Sequence, residues 1–286
     1  MKRMYEYSII SGKTVETRRS LLTVRYQPKA ARAPKTNTSS LAKSERNKSD
    51  AIKQLARIIN CNFGTEDLFL TLKYDDAHLP ADYGQLRNNA AAIIRQIRKE
   101  CKKSGTSGQI KYIMASSNWS PKKNSPARLH HHLIISGVDS ALVSRIWSKY
   151  GTVYVEALNG HGNNDGDYSN LAAYMIANVH TETPSQRRYT GSKGLDKPIY
   201  TEPVEVSSPE SSLPDADAVI KDNYAVTDGD GRIIGSYLRY TLPYPPSVID
   251  GVLQYGSRNS PQWDLYAVGF YPRLRNGSVY TQRQPV

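Results

Sequence analysis

Two periods of apolar and polar positions run along this chain, and the switches between them predict its elements. Leu68-Phe69-Leu70-Thr71-Leu72-Lys73-Tyr74 is apolar and aromatic, is bounded by Asp and Pro, and predicts a strand. Ile110-Lys111-Tyr112-Ile113-Met114-Ala115 and Leu129–Ser136 read the same way, and Val153–Ala157 predicts a shorter strand. Elsewhere the period lengthens. Ile52, Leu55, Ala56, Ile58 and Ile59 predict a helix within Ser44–Asn60, with Ser49 or Asp50 as cap and Gly64 beyond its end. Leu86, Ile93, Ile94 and Ile97 form the apolar stripe of a helix at about 84–103, and further helices are predicted at about 139–149 and 168–180.

Hairpin-linked strands with interleaved helices imply an α+β protein, a central antiparallel sheet with helices packed on one face. Four regions follow. Residues 1–43 are basic and rich in Ser, Thr and Pro, with at most a short strand at 21–24, and read as an arm that orders on binding. Residues 44–200 hold the layered domain. An acidic linker spans 201–230, and 231–286 form a Tyr-rich, β-rich appendage. The turn Asp228-Gly229-Asp230-Gly231 between Tyr224-Ala225-Val226 and Ile233-Ile234 marks a hairpin.

Charge points to a partner. The 286 residues carry 38 Lys and Arg against 26 Asp and Glu, a formal net charge of +12, which favours a polyanion, nucleic acid first. The excess is uneven: residues 1–60 hold 14 basic against 4 acidic side chains, and 199–230 hold one against eight. Cys61 and Cys101 lack metal-ligand spacing and fit two free thiols in a reducing cytoplasm. No apolar run is long enough to span a membrane, and the first residues lack a signal-peptide core, so a cytoplasmic location is expected.

The candidate chemistry lies in Arg128-Leu129-His130-His131-His132-Leu133. Strand alternation puts His130 and His132 on one face and His131 on the other, where it packs or faces outward. Two imidazoles on one face of a stiff strand can share one metal ion. About forty residues later, Tyr174 falls in a helix-like segment, with Tyr168 as a second tyrosine nearby. A cation beside a phenol suits phosphodiester cleavage, because charge builds on the non-bridging oxygens in the transition state. Mg²⁺ or Mn²⁺ is the expected cofactor, with imidazole favouring Mn²⁺ or Zn²⁺ over Mg²⁺.

Six segments in order carry a family resemblance: Ile58–Phe63, Asp67–Leu72, Leu129–Ile135, Ile146-Trp147 with Gly151, Ala173–Ile176, and Ser192–Pro198. Over roughly 45–200 the chain resembles the HUH (histidine–hydrophobic–histidine) endonucleases, in particular rolling-circle replication initiators of small plasmids and of filamentous or related phages. The resemblance implies an RRM-like layer sandwich, His130 and His132 as metal ligands, and Tyr174 as the nucleophile that becomes linked to a 5′ phosphate. It also implies single-stranded or extruded origin DNA as substrate, with a host polymerase and helicase as partners. Two positions depart from the pattern. Ala177 stands where the family usually has lysine, with Lys193 or Lys197 as possible substitutes. Ala115-Ser116-Ser117-Asn118 lacks the usual glutamate, leaving Asp75, Asp76 or His78 as candidate ligands.

Arg95, Arg98 and Lys102 on the cationic helix, with Lys111, Arg128, Lys193 and Lys197, are the expected DNA contacts. Tyrosines from Tyr237 to Tyr271 pack a small core or stack on bases. Rival readings are a relaxase or transposase of the same chemistry, a non-catalytic nucleic-acid-binding protein, and a zinc hydrolase. No Walker motif is present, so helicase activity is not expected.

Overall fold

A computed structural model describes residues 3–22, 41–105, 110–158, 165–181, 187–212, 217–249, 251–254, 274–275 and 278–279. Its elements run β1 (Arg3–Ser11), β2 (Thr14–Leu22), α1 (Leu41–Asn62), β3 (Leu68–Tyr74), α2 (Tyr83–Lys103), β4 (Lys111–Ser120), β5 (Ser125–Ser136), α3 (Ser140–Trp147), β6 (Gly151–Ala157) and α4 (Ser169–Ala177). There follow β7 (Thr190–Gly191), β8 (Ile199–Tyr200), β9 (Val204–Val206), β10 (Val219–Thr227), β11 (Ile233–Thr241), β12 (Ser247–Ile249) and β13 (Val252–Gln254). The architecture is α+β with antiparallel sheets, as the periodicity predicts.

The first sheet has the order β6-β3-β5-β4-β7, all antiparallel, with the histidine strand β5 between β3 and β4. Helices cover both faces, where the sequence pattern suggested one. Leu70, Leu72, Met114, Leu133 and Ile135 pack against α2 and α3. The intervening Phe69, Ile113, Ala115 and Ile134 pack against α1 and α4. Central strands buried on both sides read as nearly continuous apolar runs, so alternation alone could not count the helical layers.

The second sheet has the order β10-β11-β2-β1, and β8 and β9 both pair with the free edge of β1. This corrects the arm and linker readings. Residues 3–22 form the inner hairpin of the sheet, and the acidic stretch supplies β9 and β10. The two segments meet inside one structure, where Arg3 pairs with Glu205 at 3.0 Å; Arg19 pairs with Glu6 at 2.5 Å within the hairpin, and Asp222 of the acidic stretch pairs with Arg239 of β11 at 2.7 Å. The region from 233 is no free appendage either, since β11 lies directly on β2. Tyr237 and Tyr240 are buried and pack, while Tyr255, Tyr266 and Tyr271 lie outside the described residues. The Asp228–Gly231 turn closes the β10–β11 hairpin as expected, with Asp228 Oδ1 accepting from the Asp230 and Arg232 amides.

The two sheets meet on α1. Gly12, in the β1–β2 turn at φ +59°, lies so close to α1 that an added Cβ would sit 2.2 Å from the Asn60 carbonyl oxygen. Gly12→Ala is expected to destabilise the fold by about 1–3 kcal/mol from backbone strain alone, with the overlap adding to it. A melting temperature equal to wild type would refute this contact. Cys61 and Cys101 are unpaired thiols. No helix among the described residues is long and apolar enough to cross a membrane.

Candidate active site

β5 aligns the histidines through both neighbours. His130 opposes Lys73 on β3 and Ser117 on β4, and His132 opposes Thr71 and Ala115. These residues share the α1/α4 face of the sheet. His131 points the other way and is fully buried. It is held by the Tyr74 hydroxyl at 2.8 Å and the Ser116 hydroxyl at 3.0 Å, beside the Trp147 ring. Burial, with the nearby His130 second, pushes its pKa down to about 3, so it stays neutral and serves the core.

The other two histidines sit on the cleft side of the sheet, His132 fully buried and His130 partly buried. His130 Nε2 and His132 Nε2 are 3.1 Å apart. His130 Nδ1 donates to the Arg128 carbonyl at 2.8 Å, which leaves its Nε2 as the bare nitrogen. His132 Nε2 therefore carries the proton between them, and the Thr71 hydroxyl donates to His132 Nδ1 at 3.2 Å. A cation replacing that proton needs only the other tautomer of His132, with Thr71 turning to accept. Nitrogens at this spacing subtend roughly a right angle at an ion about 2.1 Å from each. Burial, outweighing the Arg128 carbonyl and joined by the Lys73 charge, lowers the His130 pKa and keeps it neutral. Neutral imidazole is the ligating form.

Tyr174 comes from α4. Its ring lies 4.9 Å from that of His132, and the edge of Phe69 supports it at 6.4 Å. The side chain is 47% exposed. Burial first, and Glu156 second, raise the phenol pKa. Asn178 fixes the helix end: its Nδ2 donates to the Tyr174 carbonyl at 2.7 Å, and its own carbonyl accepts the amides of Asn118 and Trp119, both at 3.2 Å. These amides sit at a bulge in β4, where register shifts between Ser117 and Trp119. Tyr168 is excluded as a second nucleophile, because it is 2% exposed within the α1/α4 core.

His130, His132 and Tyr174 line one open cleft of about 840 Å³. Lys73 brings the only Lys or Arg among the described lining residues, its Nζ 4.2 Å from the Tyr154 ring centroid. Glu156 lines the far wall, and Trp119, stacked on His180 at 4.9 Å, lines the near one. The sequence reading missed Lys73, Thr71, Tyr154 and Trp119. One signal was available: Lys73 is the single charge in an apolar strand, and its alternation matches Phe69 and Thr71.

Most of the expected DNA contacts lie elsewhere. Arg95, Arg98 and Lys102 are exposed on α2, across the sheet from the cleft. Lys111 opposes Ser136, six residues along β5 from His130 and so roughly 20 Å away. It pairs with Asp196 at 3.2 Å, and Lys193 and Lys197 are exposed in the same loop, so neither lines the cleft in place of the family's lysine. Arg128 is close, but its guanidinium bridges the Tyr74 carbonyl at 3.0 Å and Asp76 at 2.7 Å. Asp75 and His78 bind each other at 2.8 Å, and neither lines the cleft.

No group of three or more His, Cys, Asp or Glu suited to a metal occurs among the described residues. The donor set still fits one divalent ion. Two imidazole nitrogens converge, and the Ser117 hydroxyl, fully buried opposite His130 though not among the residues lining the cleft, has no hydrogen-bond partner. Two nitrogens suit Mn²⁺ or Zn²⁺ better than Mg²⁺ and leave positions for phosphate and water. No protein-family model, curated protein or solved structure matches the chain.

Proposed function

We propose that this protein is a metal-dependent nickase of the HUH type, cutting and rejoining single-stranded or extruded DNA at a replication origin through Tyr174. The observation that carries the reading is the convergence of His130 Nε2 and His132 Nε2, 3.1 Å apart, beside the Tyr174 ring in one open cleft. His130 and His132 would hold a divalent ion, which would supply positive charge against the non-bridging phosphate oxygens.

Tyr174 Oη forms the new bond to phosphorus and loses its proton to solvent. The phosphorus–O3′ bond breaks, and the leaving O3′ takes a proton from solvent. The product is a 5′-phosphotyrosine and a free 3′ hydroxyl, and attack by that hydroxyl on the phosphotyrosine restores the strand. Because Tyr174 is a phenol at neutral pH, it needs positive charge nearby as it ionises. Lys73, which lines the same cleft from β3, is the basic side chain available for that in place of the lysine missing at Ala177. Trp119 and Tyr154 offer aromatic walls on which unpaired bases stack. The net charge of +12 favours DNA as the polyanion. The freed 3′ hydroxyl would prime synthesis by a host polymerase, with a host helicase opening the duplex.

The test incubates the full chain with Mn²⁺ and overlapping single-stranded oligonucleotides tiling the replicon that carries its gene. The expected result is an adduct that survives denaturing electrophoresis and carries nucleotide mass on Tyr174. DNA binding with no adduct would favour a non-catalytic binder, the reading that Ala177 and the carboxylate-free stretch 115–118 support.

A further inference from the structure

A second cleft, of about 520 Å³, opens on the other face of the first sheet, between the start of α2, β4 and the segment entering β7. Its walls carry Arg87, Arg187 and Arg188 together with Tyr83, Tyr112 and Tyr189, and no Asp or Glu is among the described residues that line it. Arg188 is partly buried, and its Nη1 donates to the Val179 carbonyl at 2.7 Å, which fixes the guanidinium in place. Arg87 and Arg187 are exposed. The Arg98 guanidinium lies 5.4 Å from the Tyr112 ring centroid, so the positive lining runs on into the exposed Arg98–Lys102 stripe of α2.

We propose that this cleft is a second, non-catalytic binding site for single-stranded DNA, with its arginines on the phosphates and its tyrosines under the bases. Arginine and tyrosine without carboxylates are the combination that holds single strands with little sequence preference, one serving the backbone and the other the base faces. A duplex hides its base faces from such a cleft, which favours an unpaired strand. β4 joins the two sites: Trp119 and Ser120 line the histidine cleft, and Tyr112, Met114 and Ser116 line this one. A strand wrapped around the β4 edge meets both. The cationic face of α2, remote from Tyr174, thereby acquires a role. The site rests on DNA being the partner, as in the proposed function, but not on any cleavage step.

The test measures binding of labelled oligothymidylates of increasing length in EDTA, where nicking is off, by fluorescence anisotropy across a salt series. Arg87→Ala combined with Arg187→Ala removes two exposed cations. Two phosphate contacts at about 0.7 each in the log–log slope predict a slope shallower by about 1.4 and binding weaker by about 25-fold near 0.1 M salt. Photocrosslinking with 5-iodouracil is expected to label Tyr112 or Tyr189, and to go on doing so in Lys73→Ala. An unchanged slope, or crosslinks confined to Trp119 and Tyr154, would overturn the proposal. The Tyr174 adduct is scored separately, so failure of the nickase reading and failure of this site are told apart. A melting temperature matching wild type checks that the double variant folds.

Discussion

Replacing His130 or His132 with alanine is expected to slow adduct formation by about a thousandfold, with single-stranded DNA affinity in EDTA unchanged. Each imidazole supplies one of two converging nitrogens, and with one gone no second protein nitrogen remains at the 3.1 Å spacing. The transition state then loses charge stabilisation worth several kcal/mol, on the scale of removing a pre-organised donor to a developing oxyanion. Both variants should also lose Mn²⁺ binding by calorimetry. Thr71→Val deletes only the hydroxyl that orients His132 and should cost about 10–100-fold in metal affinity. His131 is the internal control: it binds Tyr74 and Ser116, so substituting it should lower the melting temperature before it affects metal affinity. Full nicking by His132→Ala would remove the metal from the mechanism.

The largest expected effect on stability lies at Glu16, far from the chemistry. Glu16 accepts from Arg57 Nε at 2.5 Å and Nη2 at 2.6 Å, and from the Tyr237 hydroxyl at 2.9 Å. Glu16 and Arg57 are both buried, on β2 and α1, and Tyr237 comes from β11, so one carboxylate ties together three distant parts of the chain. Glu16→Ala leaves a buried guanidinium without its carboxylate and is expected to cost about 3–5 kcal/mol, lowering the melting temperature by roughly 10 °C. Burial alone would raise the Glu16 pKa, but the Arg57 hydrogen bonds and charge outweigh it and the net shift is downward. The folded-state pKa thus lies below the unfolded value of about 4.3, so this contribution is complete above that pH and is lost as pH falls through the folded value. Melting temperatures of wild type and Glu16→Gln should differ most at neutral pH and converge in acid. A gap independent of pH would mean that the carboxylate charge is not what stabilises the junction.

The local elements were legible because their signals are local. Leu68–Tyr74 is apolar, β-prone and short, and the structure gives it the same bounds; the stripe Leu86–Ile97 set α2 to within a residue. Alternation along β5 separated His130 and His132 from His131 without any tertiary knowledge, since successive strand side chains must point to opposite faces. Residues 3–22 were misread for a different reason. Met4-Tyr5-Glu6-Tyr7-Ser8-Ile9-Ile10 alternates weakly, and the basic charge of residues 1–60 around it suggested a solvated arm, whereas the strand that covers the edge of β1 and pairs Glu205 with Arg3 lies about 200 positions away. Sequence proximity carries no trace of that pairing.

The same division runs through the site. The sequence by itself determined the α+β class, the two imidazoles on one face, and a tyrosine on a helix after them, because each follows from a period of two or of 3.6. Only the tertiary structure decided that Tyr174 stands beside His132, that Lys73 enters their cleft from a neighbouring strand, and that Arg95, Arg98 and Lys102 face away from it. It also decided that the basic residues 3–22 and the acidic stretch that supplies β9 and β10 close into one sheet. Those facts depend on strand order, register and helix layer, which are fixed by contacts between residues far apart in sequence and leave no periodic mark within any one segment.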